Sequence, residues 1–177
     1  VARWDPLKDH SNLLQALFFL KANNPNFACM LVGCEMTAQN AALMQLIYKN
    51  ELDDHVILLG PHSDILSIMN ALDLHILSSF SESMPLVIIE AMACGTPCVV
   101  TDVGDAALVV GNTGWVVPPK DPKALAAGIE SAIEALNKNG KDELGQRCRR
   151  IIEEKYSLDI MVESYVKLWK KTVGELE

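Results

Sequence analysis

Short apolar runs alternate along the chain with longer stretches in which apolar residues recur every three or four positions. The runs 27–33, 56–60, 72–77, 97–101 and 114–117 have the length and branched-aliphatic content of strands, and most end at a turn residue. The longer stretches, about 9 to 22, 37 to 50, 63 to 71, 86 to 94, 121 to 137, 141 to 155 and 158 to 174, have helical spacing. Ser63 and Asp121-Pro122 are start signals, and Pro25 and Gly95 are stops. Strand and helix in steady alternation predict an α/β fold, a Rossmann-like parallel sheet with helices on both faces. No repeat, low-complexity tract or linker interrupts the pattern, so residues 1–177 are expected to form a single domain.

Composition narrows the classes open to such a fold. With 15 Lys and Arg against 23 Asp and Glu, the formal charge of −8 argues against broad attraction to nucleic acid or an anionic membrane. No segment approaches the roughly 18 apolar residues of a membrane span. Cys29, Cys34, Cys94 and Cys98 lie in or beside apolar runs without zinc-site spacing, which predicts reduced core thiols and a cytoplasmic setting. His10, His55, His62 and His75 form no metal pattern; His75 reads as a core strand residue and the other three as surface or loop. There is no Asp-x-Asp pair to bridge a metal to a diphosphate. The chain starts at Val1-Ala2-Arg3-Trp4 without an initiator Met, and is expected to be a piece of a longer protein.

In open parallel sheets, ligands bind beyond the carboxyl ends of the strands. At such a place, after the run ending at Leu77, an apolar stretch carries Glu82 at its entrance and Glu90 in its middle. Pro85 suits a first helical turn and Ser83 a cap, so a helix is expected from Ser83 or Met84, its free N–H groups favouring an anion. Glu90 would lie about 7 Å further along the axis, its side chain leaning back toward the helix mouth. A carboxylate there can accept from the vicinal hydroxyls of a ribose, and Glu82 from those of a sugar. The plainer alternatives are a solvated loop acid for Glu82, and for Glu90 a structural Arg or Lys partner or a backbone cap. Arg3 and Lys8 could equally be an exposed pair at a helix start.

The segment Ser81-Glu82-Ser83-Met84-Pro85-Leu86-Val87-Ile88-Ile89-Glu90-Ala91-Met92-Ala93-Cys94-Gly95-Thr96-Pro97-Cys98-Val99 resembles the E-x7-E signature of retaining glycosyltransferases of the GT-B group, family 4 or group 1. Arg3 and Lys8 resemble the basic pair that holds the donor diphosphate in that family. Gly114 to Pro122 resembles its turn before a late helix, and Tyr156-Ser157 its usual Phe-Ser. Two departures stand out: no second glycine follows Gly33 in Cys34-Glu35-Met36, and Asp105 follows Gly104 where another glycine is usual.

The resemblance implies the C-terminal, donor-binding half of a GT-B fold. It implies a nucleotide-diphosphate-sugar donor, with Glu90 on the ribose, Glu82 on the donor sugar, and the backbone of Ser83, Met84, Pro85 and Leu86 on phosphates or sugar. Arg3 and Lys8 would stabilise the charge of the leaving diphosphate, with Glu82, Arg3 and Lys8 as the catalytic set and no metal or other cofactor. The acceptor, a glycan, lipid-linked glycan or other surface-polysaccharide precursor, would be bound by an N-terminal domain. Any association with the cytoplasmic face of a membrane would also belong to that domain, and the isolated half would be inactive. Two other readings share this half: a GT-B nucleotide-sugar epimerase and a non-catalytic nucleotide-sugar-binding module.

Overall fold

The computed structural model describes residues 1–174. Its strands are β1 (Cys29–Val32), β2 (Val56–Gly60), β3 (His75–Leu77), β4 (Cys98–Thr101) and β5 (Trp115–Val117). Its helices are α1 (His10–Asn23), α2 (Ala41–Lys49), α3 (Ile65–Ala71), α4 (Leu86–Ala93), α5 (Ala106–Val110), α6 (Pro122–Asn139), α7 (Lys141–Lys155) and α8 (Leu158–Thr172). A 3-10 turn, Pro6–Lys8, precedes α1. Side-chain caps fix most helix starts: Asp9, Asn40, Asp64, Asp121 and Ser157 accept backbone N–H groups at α1, α2, α3, α6 and α8. The cap of α3 is thus Asp64 and not Ser63.

All the strand pairs are parallel, as the alternation predicts, but they form two ladders, β1 with β2 and β3-β4-β5. Residues 1–8 run between them. Ala2 N donates to Val32 O and Trp4 N to Cys34 O beside β1, while Phe80 N beyond β3 donates to Leu7 O.

The helices cover both faces because adjacent strand residues point to opposite sides. In β4, Val99 packs with Val117 of β5 into a core filled by α1, α2 and α6. Its neighbours Cys98 and Val100 pack with Leu77 into a second core filled by α3, α4, α5 and α7. β4 is buried along its whole length, as expected of a strand covered on both sides. The helix α8 stands apart, with Leu158, Met161, Val162, Tyr165, Leu168 and Trp169 exposed. No described helix is long and apolar enough to cross a membrane.

Two side-chain expectations are corrected. All five cysteines are free, but only Cys98 and Cys148 are buried: Cys29, at the start of β1, is partly buried, and Cys34 and Cys94, just past the ends of their elements, are exposed and partly buried respectively. His10 is not a surface residue. It is buried at the start of α1 and stacks on Trp4 with ring centroids 5.2 Å apart. Burial lowers its pKa to about 4. His75 is a core residue as expected; its two ring nitrogens have no partner among the described residues, and burial takes its pKa well below the ordinary value.

Both histidines are therefore neutral in the folded state and protonate more readily when unfolded. Stability from this source is complete above the unfolded pKa near 6.5 and is lost as pH falls below it. Urea unfolding between pH 7.5 and 5 is expected to show falling stability, by up to about 1.4 kcal/mol per pH unit for each histidine. His10→Phe should flatten part of that slope.

Candidate functional site

The site lies at the carboxyl ends of β3 and β4, where the chain leaves the sheet in loops. The segment 78–85 connects β3 to α4 and carries Glu82. It is pressed against the turn after β4: a Cβ on Gly104, whose φ is +51°, would lie 2.1 Å from Ser83 O, and Asp105 N donates to Ser83 O at 2.9 Å. Only glycine fits that approach at that φ. Asp105 itself has φ −90°, so the missing second glycine costs this contact nothing. At the other departure, Glu35 adopts φ +63° two residues after Gly33, a left-handed position that a glycine would occupy without strain.

Against this loop lies Lys8. Its Nζ is 2.6 Å from Glu82 Oε1, a pair between residues 74 apart in the chain, and the two side chains are 25% and 11% exposed. Ser79 Oγ donates to the same Glu82 oxygen at 2.7 Å. Ser78 Oγ donates to Lys8 O at 2.9 Å. The carbonyl of Ser79 is in turn held by Thr101 Oγ1 at the end of β4. Two of the expected site residues, Lys8 and Glu82, are thus brought into direct contact.

The others are placed differently. Arg3 is 69% exposed and its guanidinium is bound by Asp5, with Nη2 to Oδ2 at 3.1 Å. Asp5 also accepts from Leu7 N at 2.9 Å, and this backbone bond, ahead of Arg3, holds its carboxyl below the usual value. Glu90 is exposed, and among the described residues its side chain has no hydrogen bond or ion pair. The structural partner that a buried acid would have required is not needed, because Glu90 lies off the face that Ile88, Ala91 and Met92 bury and that Val87 and Ile89 flank.

The start of α4 is corrected. Pro85 is the N-cap residue, with φ −77° and ψ 93°, and the helix begins at Leu86, later than Ser83 or Met84. Ser83 cannot serve as the cap, since its backbone is held against Gly104 and Asp105, and among the described residues no side chain caps this helix. Pro85 has no N–H to offer a ligand. Among the described residues the Leu86 N–H has no hydrogen-bond partner, while Ile88 N turns back to Pro85 O at 3.0 Å. Ser83, Met84 and Leu86 are exposed there and Pro85 is buried.

Sequence reasoning missed Ser78, Ser79 and Thr101. Their signal was two adjacent serines at the carboxyl end of a buried strand, where a hydroxyl has little reason to be unless it serves a neighbouring loop. Among the described residues no group of three or more His, Cys, Asp or Glu is placed to hold a metal ion.

Residues 1–157 match the family model described as "Glycosyl transferases group 1". The chain is 32% identical over 134 residues to N-acetyl-alpha-D-glucosaminyl L-malate synthase of Bacillus anthracis, covering 72% of this chain and 33% of that protein. A glycosyltransferase from Rickettsia africae superposes with a TM-score of 0.87 at 25% identity, over 97% of this chain and 46% of that one. HepE of Anabaena in complex with UDP-glucose superposes with a TM-score of 0.79 at 26% identity, over 99% of this chain and 47% of that one. The chain therefore spans a third to a half of the length of these relatives.

The geometry makes Gly104→Ala a sharp test of the loop. The substitution is expected to cost at least about 2 kcal/mol in urea unfolding, from left-handed strain plus displacement of the 82–83 backbone. A loss under about 0.5 kcal/mol would contradict the close approach.

Proposed function

The chain belongs to the glycosyl transferases group 1 family, with the α/β fold of the C-terminal half of GT-B glycosyltransferases, and we propose that it binds a nucleotide-diphosphate-sugar donor for a retaining glycosyl transfer. The observation that carries this reading is the Lys8 to Glu82 contact in the loop that leads from the carboxyl end of β3 into an uncapped helix N-terminus. A cation and free N–H groups suit a diphosphate, and a carboxylate next to them suits sugar hydroxyls.

In this reading Lys8 Nζ, the Leu86 N–H and Arg3, swung away from Asp5, hold the diphosphate. Glu82 accepts from the donor sugar, and Glu90, exposed and unpaired, from the ribose hydroxyls. The bond between the anomeric carbon and the β-phosphate oxygen breaks, and the acceptor oxygen bonds to that carbon on the same face. The acceptor proton passes to the leaving phosphate. The charge left on the phosphate is met by Lys8, Arg3 and the helix terminus, with no metal ion required. The complex of HepE with UDP-glucose supports a UDP-sugar as the first donor to try. The acceptor, of the glycan or lipid-linked class, would be bound by residues outside this chain, and the transfer would run in the cytoplasm.

Titration of the intact protein with UDP, GDP, ADP and their sugars is expected to raise its melting temperature, by about 2.7 kcal/mol of stabilisation at a hundredfold excess over Kd. Free sugars should do nothing. Lys8→Ala and Arg3→Ala should each weaken diphosphate binding by about 1.5–3 kcal/mol and spare nucleoside binding. Glu90→Gln should weaken ribonucleotides but not 2′,3′-dideoxynucleotides. EDTA should change none of these, and no stabilisation by any of the six nucleotides would overturn the reading.

A further inference from the structure

The geometry points to Ser79 as a positioning residue: it holds the Glu82 carboxylate in the orientation that opens Oε2 to a donor-sugar hydroxyl, and so sets a preference for the sugar-bearing nucleotide over the bare diphosphate. The inference rests on the donor reading above.

Glu82 Oε1 takes two donors, Ser79 Oγ at 2.7 Å and Lys8 Nζ at 2.6 Å, while Oε2 takes none among the described residues. With Lys8 alone the carboxylate could pivot about that single contact. The second donor, arriving from the end of β3, fixes where Oε2 lies. Ser79 can do this because it cannot drift itself. It is 1% exposed, and its carbonyl accepts from Thr101 Oγ1, which is fully buried in β4 and also donates to Leu77 O. Ser78 completes the clamp from the same strand end, its hydroxyl holding the Lys8 backbone.

The choice of a hydroxyl matters chemically. It orients the carboxylate without neutralising it, as a second cation would. A bare nucleoside diphosphate ends in a phosphate carrying more negative charge, which a charged Glu82 repels. A sugar on that phosphate removes the extra charge and brings hydroxyls that can donate to Oε2. Glu82 thus favours the sugar-bearing ligand twice over, provided Oε2 is held in place.

The test is calorimetry on the intact protein with the tightest binder among UDP-glucose, GDP-mannose and ADP-glucose, beside its parent diphosphate. Ser79→Ala is expected to weaken the nucleotide sugar by about fivefold to tenfold and to leave the diphosphate within about twofold. Ser79→Thr, which keeps the hydroxyl, should restore the preference. Ser79→Ala combined with Glu82→Gln should lose no more preference than Glu82→Gln alone, since one acts through the other. An unchanged ratio in Ser79→Ala, or equal weakening of both ligands, overturns the inference. If Glu82→Gln lowers the ratio and Ser79→Ala does not, the role of Ser79 falls while the donor reading stands. If the unsubstituted protein binds none of the ligands, both fall together.

Discussion

The contact between Lys8 and Glu82 is the constraint on which the site depends. It joins the first loop of the chain to the β3–α4 loop through a 2.6 Å ion pair that is mostly out of water. Such a pair adds little net stability, because desolvation of the two charges offsets most of their attraction. Its effect is on position. A cation and a carboxylate that would otherwise wander on long side chains are held at one point in the loop that leads into α4, a helix that no side chain among the described residues caps.

The fold explains why they meet. Parallel strands all deliver their chains at the same edge, so loops remote in sequence converge there. The two-sided burial of β4 fixes Thr101, whose hydroxyl ties down the end of β3 through Leu77 and Ser79. From that end Ser78 reaches Lys8 and Ser79 reaches Glu82. Gly104 closes the arrangement by letting the backbone of 82–83 lie directly on the β4–α5 turn. The charged pair is therefore carried by the most deeply buried strand of the molecule.

Much of this was legible in the sequence, for identifiable reasons. Strands such as Val56–Gly60 and Cys98–Thr101 announce themselves as short β-branched runs, and long helices such as Pro122–Asn139 by their period and caps. Lys8 and Glu82 were singled out through the resemblance of the motifs around them, but that the two side chains touch was not legible. What failed depended on how the chain packs, which the local pattern does not show. The start of α4 moved to Leu86 because Asp105 and Gly104 hold the Ser83 backbone on the β4–α5 turn. His10 is buried because Trp4 stacks on it. The five-residue α5 was too short to show a helical period, and Ser78 and Ser79 had no pattern beyond their place after a strand.

The most direct measurement is a crystal structure of the intact protein with its nucleotide-sugar donor. The account predicts the diphosphate within hydrogen-bond distance of Lys8 Nζ and the Leu86 N–H, and a sugar hydroxyl on Glu82 Oε2. Glu82 Oε1 should remain on Ser79, and Arg3 should have left Asp5 for the phosphates. A donor seated elsewhere, with the Lys8–Glu82 pair untouched and no ligand atom near Oε2, would contradict it.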